Sequence, residues 1–199
     1  MSEQIASGQS PIHLVVGLGN PGEKYSGTRH NIGFQCLDIV LKRMGSPMPL
    51  AKFEGQLAKG SLGSVPVMLL WPLTFMNLSG RSVRQVVSFY KIPTNQIMVV
   101  CDDLALPIGK LRIRKRGSSG GQKGLGDILQ SLGTEEIARL RIGINPPPPG
   151  WDAADYVLGR FKADERETIN EALEKAANAI ADWTTKGVEF CMNQYNKSE

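Results

Sequence analysis

Histidine and cysteine are scarce in this chain, with two of the first and three of the second among 199 residues. Cys36, Cys101 and Cys191 lie far apart among apolar neighbours and form no C-x-x-C pair. That excludes a disulfide framework or a thiol redox motif and fits buried, reduced thiols in a cytoplasmic protein. With only His13 and His30, and no paired Cys/His spacing, a zinc centre is excluded, so we expect neither metal nor cofactor. No G-x-S-x-G elbow advertises a covalent nucleophile. No apolar run approaches the ~20 residues of a membrane span, and residues 1–10 lack the basic start and apolar stretch of a signal peptide. We therefore expect a flexible tail over 1–10 and one domain over 11–199, since a chain of this length can bury a full core.

What is present is an alternation of short β-branched runs with helical spacing. Residues 12–18, 65–71, 97–101 and 139–144 read as buried strands, each closed by Gly, Pro or Asp. A turn is expected at 60–63 and an alternating strand at 110–116. Helical spacing runs over 31–44, with Thr28 or Asn31 as cap, and over 79–90, 125–132 and from Asp164 onward as one long amphipathic helix. The pattern predicts an α/β fold, a single twisted, mixed but mostly parallel sheet flanked by helices.

The segment after the first strand satisfies G-x-G-x-x-G at Gly17, Gly19 and Gly22. A dinucleotide fingerprint requires a helix to open inside the motif, so that its N–H groups meet the pyrophosphate. Here Pro21, Gly22, Ser26 and Gly27 punctuate the segment, and apolar helical spacing begins only at Ile32. The glycines are read as shaping a longer loop that presents Asn20, Tyr25 and His30. In open α/β sheets ligands bind beyond the carboxyl ends of the strands. Three strands end in polar groups there: Asn20 after the first, Thr74-Phe75-Met76-Asn77 after the second and Asp102 after the third. Taken singly, Asn is a turn former, Asp a cap and a lone His a structural residue. Jointly, on neighbouring parallel strands, they would converge. A carboxylate on one imidazole nitrogen fixes the tautomer and leaves the other nitrogen to take a proton from water, so His30 and Asp102 have the parts of a water-activating pair. Asn20 or Asn77 could donate an amide hydrogen bond to a developing oxyanion.

The chain carries 23 Lys and Arg against 19 Asp and Glu, and the excess is concentrated. Lys110, Arg112, Arg114 and Arg116 are spaced two apart and share one face of a strand. A charged edge strand guarded against aggregation has the same pattern. Lys115, Lys123, Arg139 and Arg141 follow, around a Gly/Ser loop at 117–121 whose N–H groups can approach a phosphate. Such an array suits a nucleic-acid backbone.

Seven ordered motifs carry a family resemblance. They are V-G-L-G-N-P-G-x-x-Y at 16–25, T-R-H-N-x-G-F at 28–34, T-F-M-N-L-S-G at 74–80, D-D-L at 102–104, L-P-x-G-K at 106–110, G-S-S-G-G at 117–121 and R-L-R-I-G-I at 139–144. Over essentially its whole length the chain resembles the bacterial-type peptidyl-tRNA hydrolases. The resemblance implies a monomeric, metal-free α/β enzyme whose partner is peptidyl-tRNA and which cleaves the ester between peptide and 3′ ribose. By matching position, His30 is the catalytic base, Asp102 supports it, and Asn20 distinguishes a blocked amide from a free amine. Tyr25, Phe75, Met76 and Asn77 line the substrate channel, and Arg114 and Arg141 meet tRNA phosphates. One stretch departs: where the family has G-G-H-N-G, this chain has Gly120-Gly121-Gln122-Lys123-Gly124. The family Asn contacts the tRNA 3′ end, and Lys123 would replace that amide with a charge-assisted phosphate contact. Because some relatives act in organellar RNA splicing, the alternative expectation is a non-catalytic RNA-binding protein.

Overall fold

A computed structural model describes residues 12–197; the expected tail over 1–10 lies outside the described residues. Seven strands form one sheet: β1 (His13–Gly17), β2 (Leu50–Lys52), β3 (Gly55–Leu62), β4 (Val65–Pro72), β5 (Ile97–Asp103), β6 (Leu111–Arg114) and β7 (Ala138–Gly143). Their order is β2-β3-β4-β1-β5-β7-β6. The central strands β4, β1, β5 and β7 run parallel, and antiparallel pairings occupy both edges. Among the described residues five α-helices accompany the sheet: α1 (Ile32–Arg43), α2 (Ser79–Tyr90), α3 (Lys123–Leu132), α4 (Ala153–Leu158) and α5 (Arg166–Tyr195).

Alternation along the strands divides the apolar residues between two cores. Val15, Leu69 and Val100 face α1 and α5, while Leu14, Val16, Leu70 and Val99 face α2 and α3. Both faces are therefore covered, as parallel strands require. Helix α1 approaches the sheet closely because Gly33 carries no side chain. A Cβ there would come 2.5 Å from the Val100 carbonyl oxygen and closer still to the Leu18 nitrogen. Gly17 meets it from the sheet side, where a Cβ would fall 2.5 Å from the Gly33 oxygen. Gly17 and Gly33 are thus close-packing residues, and of the three motif glycines Gly22 is the one at a positive φ, 104°.

Several local expectations need correction. Gly60 lies inside β3, where it makes room for Met44, and the turn falls at 63–64. Strand β2 and helix α4 have no clear sequence signal, being a three-residue exposed strand and a six-residue helix. Helix α5 starts at Arg166 and is interrupted at Gly187, whose φ of 83° and ψ of 171° are not helical. Asn196, just beyond it, covers the open edge of β6: its Oδ1 accepts from the Ile113 N–H at 2.6 Å and its Nδ2 donates to the Ile113 carbonyl at 2.9 Å. Neither Thr28 nor Asn31 caps α1 with its side chain. The Thr28 hydroxyl donates to the Tyr25 carbonyl, and Asn31 is engaged elsewhere, as described next.

Candidate active site

Because β1 lies between β4 and β5, the three polar strand ends become neighbours. Asn31, in the 3-10 turn Arg29–Asn31, turns its carboxamide onto the backbone of Asn20. Its Oδ1 accepts from the Asn20 N–H and its Nδ2 donates to the Asn20 carbonyl, both at 2.9 Å. The side chain of Asn20 in turn accepts from the Met76 N–H at 2.9 Å through Oδ1. That bond fixes the amide, since oxygen and nitrogen cannot exchange places without leaving a buried N–H unpaired. Three loops are joined through Asn31, Asn20 and Met76. The sequence offers Asn31 only as a cap for α1; its position in T-R-H-N beside His30 is the signal for this role.

His30 occupies the same 3-10 turn and reaches β5. Its Nδ1 lies 2.8 Å from Asp102 Oδ2, with His30 slightly exposed and Asp102 buried. The second Asp102 oxygen, Oδ1, accepts from Gln122 Nε2 at 3.1 Å. Gln122 also caps α3, its Oε1 accepting the Leu125 N–H at 2.7 Å. The start of α3 comes this close because Gly124 leaves room for Met76, whose sulfur a Cβ would meet at 2.5 Å. Gln122, read from sequence only as a departure, is thus part of the site.

A cavity of about 430 Å³ opens on this pair, lined by His30, Asp102, Gln122, Lys123, Arg141 and Val157 among others. Its far wall is the start of α4, held toward His30 by Arg29. That guanidinium bonds Glu165 at 2.7 Å and the Arg160 carbonyl, and lies 4.5 Å from the Tyr156 ring centroid. Of the other sequence candidates, Met76 is buried, Tyr25 half-buried, and Phe75 and Asn77 exposed; none of these, nor Asn20, lines this cavity. Phe75 borders a separate groove with Leu73, Leu78 and Arg81.

The basic array is smaller than its sequence pattern. Arg112, Arg114 and Arg116 are exposed, but Arg139 is 1% exposed and spends its guanidinium internally, on the carbonyls of Gly117 at 2.6 Å, Ser118 at 3.0 Å and Glu135 at 3.2 Å. Arg139 is therefore corrected from a partner-facing cation to a strut of the Gly/Ser loop. Arg141 pairs with Asp103 at 3.1 Å and donates to the Ser119 carbonyl at 2.6 Å, while still bordering the cavity. These bonds turn the loop's carbonyls inward. Lys123 and Arg114 are exposed.

Nucleophilic chemistry by cysteine has no support. Burial pushes the Cys36 and Cys101 thiols up to about 12, the latter helped by the Asp102 charge, and Cys191 up to about 11. Among the described residues, no group of three or more His, Cys, Asp or Glu is gathered as a metal site would need, and no helix is long and apolar enough to cross a membrane.

The sequence model of the peptidyl-tRNA hydrolase family matches residues 14–199. A peptidyl-tRNA hydrolase of Rhodopirellula baltica is 50% identical over 186 residues, covering 93% of this chain and 97% of that one. One of Bacillus cytotoxicus is 47% identical over 185 residues, covering 93% of this chain and 100% of that one. The crystal structure of peptidyl-tRNA hydrolase from Acinetobacter baumannii superposes with a TM-score of 0.88 at 34% identity, covering 98% of this chain and 99% of that one. With strand order, motifs and His–Asp geometry all in place, the chain belongs to the peptidyl-tRNA hydrolase family.

Proposed function

We propose that this protein hydrolyses the ester joining a peptide to the 3′ ribose of tRNA, with water activated by His30. The observation that carries the mechanism is the 2.8 Å contact between His30 Nδ1 and Asp102 at the mouth of a cavity. A carboxylate there holds the proton on Nδ1 and leaves Nε2 basic. Nε2 takes a proton from water as its oxygen bonds to the ester carbonyl carbon. The carbon–oxygen bond to ribose then breaks, and the same proton passes to the leaving 3′ oxygen.

In this reading Asn20, with its oxygen occupied by the Met76 N–H, offers its Nδ2 hydrogens to the blocked peptide amide or the developing oxyanion. Tyr25, Phe75, Met76 and Asn77 form the peptide channel. Lys123, exposed on the cavity rim, and Arg114, exposed on β6, contact tRNA phosphates. Arg141 serves from beneath the Gly/Ser loop. The protein acts as a monomer, as the family resemblance implies, and in the cytoplasm, where three buried, unpaired cysteines fit a reducing compartment.

The test is hydrolysis of an N-acetylated aminoacyl-tRNA beside the same tRNA with a free amino group. Cleavage of only the blocked substrate, reduced about 10²–10⁴-fold in His30→Ala, is the expected result. Tight tRNA binding without cleavage would instead identify an RNA-binding protein.

A further inference from the structure

We propose that Gln122 is a positioning residue that orients Asp102 as the hydrogen-bond acceptor for His30. The inference rests on the reading of His30 as the base. Its starting point is the orientation of one amide. Gln122 Oε1 accepts the Leu125 N–H at 2.7 Å, so the oxygen end of the carboxamide faces the first turn of α3. The nitrogen end must then face the other way, toward Asp102 Oδ1 at 3.1 Å and the Met76 sulfur at 3.4 Å. Flipping the amide would set oxygen against carboxylate and nitrogen against N–H, losing both bonds.

Asp102 is thereby gripped at both oxygens, by His30 on Oδ2 and by Gln122 on Oδ1. A proton on Oδ1 would confront the Gln122 N–H, so Oδ1 is held as an acceptor. Oδ2 is then turned to accept from His30 Nδ1, which leaves Nε2 as the base. Gln122 is 7% exposed and Asp102 3%, which keeps water from substituting for this bond. The other charged groups bordering the cavity are Asp103, Lys123, Arg141 and Asp152, with Arg29 adjacent in the chain. Asp103 is neutralised by Arg141 and Arg29 by Glu165, and none of them bonds Asp102. A neutral amide suits the position. It orients the carboxylate without cancelling the negative charge that faces the imidazole, and it cannot itself titrate in the working range of the base.

The experiment exploits the presence of only two histidines. Nitrogen-15 spectra of the imidazoles report the tautomer of His30, assigned with His30→Ala, while His13, packed against Trp183, serves as the internal reference. In the wild-type protein neutral His30 is expected to carry its proton on Nδ1. In Gln122→Met, which keeps the side-chain length but donates nothing, the proton redistributes toward Nε2 and the His13 signals stay in place. Turnover should fall about tenfold with KM changed less than about twofold, as for removal of a partner that orients a catalytic pair. Gln122→Glu keeps the cap on Leu125 and can donate to Asp102 only while protonated. Its kcat, relative to wild type, should therefore fall as pH rises, a dependence Gln122→Met lacks, and this variant decides the matter should Gln122→Met not fold. Unchanged His30 tautomer and turnover in the folded variants, or equal movement of both imidazoles, would overturn the proposal. Wild-type protein that cleaves no ester would refute the esterase reading alone, because the imidazole spectra need no substrate.

Discussion

The Asn31 carboxamide closes a ring of two 2.9 Å hydrogen bonds with the backbone of Asn20, one accepted from its N–H and one donated to its carbonyl. Both residues are buried, so the ring is shielded from water and fixes the β1 loop against the turn that carries His30. Asn31→Asp keeps the acceptor but sets a carboxylate against the Asn20 carbonyl. Stability should fall by about 1–3 kcal/mol, measured by urea unfolding, from a buried carbonyl left unpaired. Activity on blocked aminoacyl-tRNA should fall as well, because the Asn20 amide loses its alignment.

Gly33 admits α1 to the sheet. In Gly33→Ala the new Cβ would press on the Val100 carbonyl 2.5 Å away, and either the helix or the strand must retreat. Overpacking of this kind costs about 1–3 kcal/mol. Since Val100 is two residues from Asp102 and Gly33 three from His30, the retreat lengthens the His30–Asp102 bond. Turnover should therefore drop in protein that remains folded, checked by kcat at a temperature well below the melting transition.

Arg114 and Arg139 are paired across β6 and β7 yet predict opposite phenotypes. Arg114→Ala should leave stability unchanged and weaken tRNA binding, with the slope of log K against log salt falling by roughly 0.7–0.9 for each phosphate no longer neutralised. Arg139→Ala should leave the Gly117 carbonyl without its donor and take one of two donors from the Ser118 and Glu135 carbonyls, which keep Arg141 and the Gly117 N–H, at a cost of about 1–3 kcal/mol in unfolding free energy. Salt titration of tRNA binding and denaturant unfolding separate the two.

His13 is 9% exposed with its ring 4.8 Å from that of Trp183, and burial lowers its pKa below the usual 6.5. The unfolded chain then binds this proton more readily than the folded one. The His13 contribution is fully present above pH 6.5 and is lost as pH falls from there toward the folded pKa. Unfolding free energies of wild type and His13→Phe between pH 7.5 and 5.5, a window above most carboxylate titrations, should show a shallower decline in the variant.

Local sequence determined the elements that position the site. β-branched runs closed by Gly, Pro or Asp mark β1, β4, β5 and β7, and helical spacing marks α1, α2 and α3, because period and punctuation are properties of adjacent residues. The polar strand ends Asn20, Met76 and Asp102, and His30 just before α1, were legible for the same reason. Edge strand β2 and its neighbour β3, with exposed residues, lysine and glycine, carry no such period. Charge and position put Arg139 and Arg141 in the basic array around the Gly/Ser loop, but β7 is buried on both sides, so both turn inward to carbonyls and Asp103. Only the tertiary structure decided that β1 lies between β4 and β5, bringing His30 to Asp102 across 72 residues of chain, and that Gln122 completes the pair. Alternation tells a strand which side to bury but not which neighbour to take; that choice comes from packing both sheet faces under helices, with Gly17, Gly33 and Gly124 setting how closely the layers approach.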